Sequence, residues 1–171
     1  VIEPSGRLAN PETTGQKLPP QLKARLRPGK GGYSFILADS SEGYRAREVL
    51  LTQPDIRELQ LAKGALYAGL QVLLQEAGLQ VGDLDQVLLA GAFGNYIRRE
   101  SAREIGLLPS IPLEKITAVG NAAGRGARMA LISRSERARA LALPDLVEHV
   151  ELSARADFQE AFIKALAFEA K

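Results

Sequence analysis

The chain has 171 residues, 46% hydrophobic and 25% charged, which suits one globular domain with a real core. Against 20 acidic residues stand 22 basic ones, and an excess of +2 with 5% aromatic residues gives no ground for nucleic-acid binding. With no cysteine and a single histidine, His149, the chain excludes disulfides, thiolate or multi-histidine metal centres, and a Ser-His-Asp triad with spare parts.

No apolar run approaches the ~20 residues of a membrane-crossing helix. The start, Val1-Ile2-Glu3-Pro4, is neither an initiator Met nor a signal peptide. These features predict a soluble, cytoplasmic-type fragment of a longer protein, with no membrane and no nucleic-acid partner.

Residues 1–34 carry Pro4, Pro11, Pro19, Pro20 and Pro28, and then Gly29, Gly31 and Gly32. They read as an irregular Pro/Gly-rich arm, with the domain proper over residues 35–171. Two β-prone runs, residues 33–38 and 44–51, flank the turn-rich Asp39-Ser40-Ser41-Glu42-Gly43 and predict a hairpin. A helix follows, with Thr52 or Gln53 as its cap, Pro54 in the first turn, and Gly78 as its stop. Its apolar residues, Ile56, Leu59, Leu66, Tyr67, Leu70, Leu73, Leu74 and Ala77, recur at helical spacing.

Residues 86–90 form a short apolar run that reads as a buried strand. Further along, the pattern predicts a short helix over residues 100–105, a strand over 115–119, and a helix capped by Asn121 running to 133. A short helix, a strand over 147–152 and a last helix over 157–168 complete the chain. Strands alternating with helices place it in the α/β class.

Three segments could carry chemistry. Gly91-Ala92-Phe93-Gly94-Asn95 follows a strand, at the sheet edge where α/β proteins bind ligands. It also reads as a tight strand-to-helix turn. Gly120-Asn121-Ala122-Ala123-Gly124-Arg125-Gly126 holds three glycines where a helix begins, each costing about 1 kcal/mol against alanine. Close packing by another helix, a ligand contact or an interlobe hinge would each offset that cost. Lys63 falls inside the apolar stripe of the long helix, with Gln60 at its border; snorkelling to water is the ordinary reading, ligand contact the sharper one. Arg98, Arg99 and Arg103 read as a solvated face, and His149 as structural or surface.

These segments, in this order, resemble the reductive activators of corrinoid proteins. The run Leu51-Thr52-Gln53-Pro54-Asp55-Ile56-Arg57-Glu58-Leu59-Gln60-Leu61-Ala62-Lys63 is similar to the helix opening their C-terminal lobe. Residues 87–95 look like their adenosine motif, Ser101-Ala102-Arg103-Glu104-Ile105-Gly106 like the segment after it, and Val119-Gly120-Asn121-Ala122-Ala123-Gly124 like their second connecting helix. The tail, Val150-Glu151-Leu152 and then Asp157-Phe158, also fits. The resemblance covers residues 45–168.

That resemblance implies a ribonuclease-H-like lobe of the actin-like ATPase fold, a mixed sheet flanked by helices. It implies a parent that uses ATP with Mg²⁺, and an iron–sulfur cluster in a missing domain, to drive electrons onto a corrinoid protein. Gly91, Ala92, Phe93, Gly94 and Asn95 would line the adenosine and α-phosphate, and Gln60 and Lys63 would contact the nucleoside. Gly120, Asn121, Ala123 and Gly124 would form the interlobe hinge. The second glycine of the usual adenosine motif is replaced by Ala92, and no Asp-x-Gly-Thr phosphate loop is present. ATPase activity is therefore expected of the full-length parent, not of this chain alone, which holds no catalytic residue and no metal ligands. Two alternatives stand beside this reading: a nucleotide-independent interaction or homodimerisation module, and a lobe of a sugar- or acetate-type kinase.

Overall fold

The structure, a computed structural model, describes residues 1–91, 94 and 96–168; the side chain of Tyr44 is left out of the description. The described residues fall into two compact units, one of residues 1–68 with the chain from 159 onward, the other of residues 69–158.

In the first unit, the one-turn helix α1 (Pro20–Lys23) precedes an antiparallel sheet of β1 (Leu26–Gly29), β2 (Gly32–Ala38) and β3 (Val49–Thr52), in that order. Gly31 and Gly32, with φ of +82° and +141°, make the β1–β2 turn, and Leu26 pairs with Phe35, which pairs in turn with Leu51. The irregular arm expected over residues 1–34 thus ends earlier, because β1 already belongs to the sheet. The second arm of the expected hairpin is shorter than residues 44–51, since residues 44–46 form a 3-10 turn.

Strand β3 runs straight into helix α2 (Gln53–Glu76). Thr52 is the cap: Asp55 accepts from its amide at 2.8 Å, while the Asp55 amide donates to Thr52 Oγ1 at 3.4 Å. The helix stops at Gly78, φ +66°, where the Leu79 amide reaches back to the Leu74 carbonyl at 2.8 Å. The buried residues of α2 are Ile56, Gln60, Lys63, Gly64, Ala68, Gly69, Val72 and Leu74. Leu59, Leu66 and Leu73, read from the sequence as part of the buried stripe, are exposed instead, Leu66 by 61%. Leu8, Leu26 and Ile56 form the core of this unit, with Tyr33, Phe35, Leu51 and Phe168 packed on it.

In the second unit, β4 (Val87–Ala90) and β5 (Ile116–Gly120) form a parallel pair, with α3 (Arg99–Glu104) between them in sequence. Helices α4 (Ala122–Ile132) and α5 (Arg134–Ala142) follow. The strand expected over residues 147–152 does not form: no described strand pairs with it, and Val147 and His149 are exposed. Helix α6 (Ala156–Ala165) is the last described element, and most of it belongs to the first unit. The α/β class holds, and the described strands make a three-stranded antiparallel sheet and a two-stranded parallel one.

Candidate functional site

Two of the sequence motifs meet at one edge of the parallel pair. Ala90 and Gly120 are paired at the carboxyl ends of β4 and β5, and the Gly91 amide donates to the Gly120 carbonyl at 2.7 Å. Both glycines have positive φ, +86° at Gly91 and +66° at Gly120, which L side chains resist. A Cβ built on Gly91 meets no described heavy atom within 4 Å.

Gly94 is a glycine for another reason. A Cβ there would stand 2.5 Å from the Leu89 carbonyl oxygen, so the chain folds back on its own strand. Ala92, Phe93 and Asn95 of the same motif lie outside the described residues.

The start of α4 explains its glycines in turn. Asn121 Oδ1 accepts from the Gly124 amide at 2.8 Å and caps the helix. A Cβ on Gly124 would press on the Asn121 carboxamide, 2.7 Å from Nδ2. Ala123 lies in the first turn, and Gly126 faces open space.

Gln60 and Lys63 belong to the first unit, one turn apart on α2, and are 4% and 3% exposed. The snorkelling expected of Lys63 does not occur. Its Nζ donates to the Ala167 carbonyl and stands 4.8 Å from the centroid of the Phe168 ring. Gln60 Nε2 donates to the carbonyls of Leu166, at 2.7 Å, and Ser5, at 3.1 Å. The Leu166 and Ala167 carbonyls follow the last turn of α6, where helical acceptors have no intrahelical donor and a cation is favoured. The sequence carries no signal for this pairing, because it joins positions about a hundred residues apart.

Gln53, a cap candidate, instead binds the N-terminal segment, donating to Gly6 O at 2.8 Å and accepting from Leu8 N at 3.0 Å. The basic cluster is not the purely solvated face expected of it: Arg99 donates to the Ile116 carbonyl at 2.9 Å and Arg103 to that of Ile111 at 3.2 Å. These bonds hold α3 to the segment leading into β5. His149 is exposed. Among the described residues, no group of three or more His, Asp and Glu could hold a metal ion, and no helix is long and apolar enough to cross a membrane.

Comparison with known proteins agrees with this architecture. Residues 9–171 match the family described as the C-terminal domain of RACo, the ASKHA domain. The corrinoid activation enzyme RamQ of Eubacterium limosum is 37% identical over 129 residues, 75% of this chain and 22% of that protein. The Co(II) methylated amine-specific corrinoid protein reductase of Methanosarcina barkeri is 32% identical over 98 residues, 57% of this chain and 17% of that one. A solved reductive activator for corrinoid, iron–sulfur protein superposes with a TM-score of 0.82 at 32% identity, over 98% of this chain and 25% of its own. The chain thus spans a quarter or less of the relatives it matches. With its actin-like α/β architecture and its match over nearly the whole length, the chain belongs to the family of RACo C-terminal ASKHA domains.

Proposed function

We propose that this chain supplies the adenosine side of an ATP site in a longer protein that reductively activates a corrinoid protein. One observation carries the reading. Gly91 and Gly120 lie side by side at the carboxyl edge of a parallel strand pair, both at positive φ. That edge is where α/β sheets take their ligands. Helix α4 starts from the same edge and directs the positive end of its dipole there.

In this reading residues 91–95 line the adenosine and α-phosphate, Gln60 and Lys63 meet the nucleoside, and Gly120, Asn121, Ala123 and Gly124 hinge the lobes. In this reading the metal-binding acids, the phosphate loops and the iron–sulfur domain lie in the rest of the longer protein. ATP would bias one lobe arrangement by binding it more tightly, and so couple nucleotide state to electron delivery. The names of the relatives support a corrinoid protein as the partner.

The test is an ADP titration of the full-length protein followed by amide shifts. Shifts at Gly91, Gly94 and residues 120–124 are expected. Saturating ADP without any shift there would sink the reading.

A second reading, a nucleotide-independent interaction module, is favoured by one feature of the second unit. Leu131, Ile132, Leu141 and Leu146 are exposed, and an apolar groove of about 430 Å³ is lined by Met129, Ala140, Leu143 and Leu146. Self-association that ignores ADP, measured by sedimentation, would support it.

A further inference from the structure

We propose that the groove between α4 and α5 is a docking site for an acidic amphipathic helix of a protein partner. This rests on the interaction reading of the same groove and is independent of the nucleotide reading.

Helices α4 and α5 and the 3-10 turn Leu143–Leu146 after them bury no residue. Helices of 11 and 9 residues scarcely persist in water on propensity alone; the packing of an apolar face holds them. The two helices do fix one another. Ser133 ends α4 and caps α5, and Arg137 donates to the Ala130 and Leu131 carbonyls at 2.9 and 3.1 Å. The groove between them is therefore preformed. Its floor is Met129, Ala140, Leu143 and Leu146, and Gly126 adds no side chain to it. Much of that floor is in water, Met129 by 41% and Leu146 by 80%.

Charge identifies the occupant. Residues 122–142 hold five arginines and one acid, Glu136, a net +4 where the whole chain carries +2. Arg125, Arg128, Met129 and Ile132 share one face of α4 at helical spacing, so two cations flank the apolar floor there. On α5 the floor is flanked by Arg139, which pairs with Glu136 at 3.1 Å. An apolar cleft edged by arginine is complementary to a helix whose leucine stripe is edged by carboxylates. A bilayer presents no ridge to fill a cleft, which favours a protein over an anionic membrane surface. A second copy paired groove to groove would bring the same excess of arginine, which disfavours a symmetric dimer on this face.

Calorimetric titration of the full-length protein with a synthetic helical peptide tests the proposal. The peptide carries leucine at i, i+3, i+4 and i+7 with glutamate beside the stripe; its lysine counterpart is the control. The glutamate peptide is expected to bind at least about tenfold tighter than the lysine one, and the double change Arg125→Glu, Arg128→Glu to reverse that preference. Leu146→Ser should weaken binding by about tenfold, and at 80% exposed it leaves the fold in place. Equal affinity for the two peptides overturns the proposal. Failure of both peptides, with self-association that Leu146→Ser abolishes, makes the occupant a second copy: the proposal falls and the interaction reading stands. Capture by phosphatidylserine vesicles while neither peptide binds assigns the face to a membrane and likewise overturns it. With no binding of any kind the interaction reading falls too, and the ADP titration decides the nucleotide reading separately.

Discussion

Gly6 and Gln60 fit each other so closely that a Cβ on Gly6 would collide with the Gln60 carboxamide. Gly6 also sits at φ +84°. Gly6→Ala should therefore destabilise the protein by about 2 kcal/mol or more, through backbone strain and overpacking together. Gln60→Ala removes the collision but orphans the Ser5 and Leu166 carbonyls. The double variant should then lose less than the sum of the two, by about 1 kcal/mol. Urea unfolding of the four proteins reads this directly, and strict additivity would contradict the fit.

The cap on α4 gives a second non-additive pair. Asn121→Ala should cost about 1 kcal/mol, and Asn121→Asp should keep most of the cap. Gly124→Ala should be unfavourable beside Asn121, because the new methyl meets the carboxamide. In the Asn121→Ala background the same change should turn favourable by up to about 1 kcal/mol, since alanine is the better helix former. Thermal unfolding midpoints would show the reversal of sign.

Acid stability should depend on Asp157. The Arg155 guanidinium donates to it and holds its carboxyl below the ordinary 3.8, while Arg155 also pairs with Glu76 at 2.7 Å. A carboxyl depressed in the folded state stabilises above its unfolded value, and the benefit disappears as pH falls through the folded value. Asp157→Asn should lower the urea midpoint around pH 7, and the two proteins should converge once pH has fallen through the folded value. A constant gap across that range would assign the effect to something other than titration. The pair is only part-buried, so the effect should shrink in high salt.

The two glycines of the proposed adenosine motif should respond differently. Gly94→Ala drives a methyl into the Leu89 carbonyl and should weaken folding with or without nucleotide. Loss of ATP-stimulated reduction in a Gly94→Val protein would thus report on packing as well as on the site. Gly91→Ala meets no described atom and should cost only the positive-φ strain, about 1–2 kcal/mol. In the full-length protein it should weaken ADP binding while the folded fraction stays high. Calorimetry giving an unchanged Kd for Gly91→Ala would remove Gly91 from the site.

Much of this was legible from local chemistry. Thr52, Pro54 and Gly78 bound α2 through cap and stop signals that act over a few residues, and Asn121 announces α4 in the same way. Gly91 at a strand end points to the sheet edge because glycine alone enters its conformation without cost. Residues 147–152 read as a strand, but no described strand pairs with them, and a strand is completed only by its partner.

What the tertiary structure decided is the use to which each side chain is put. Which face of α2 is buried depends on what packs there: small Gly64 lets Phe162 and Leu166 come close, and so Gln60 and Lys63 go inside while Leu59 and Leu66 stay out. Arg99 and Arg103 satisfy carbonyls that lie nearby only once the chain has folded. Caps, turns and helix periods are short-range and can be read from residue order. The acceptors that meet Gln60 and Lys63 come from distant positions, and their identity follows from the packing of α6 on α2.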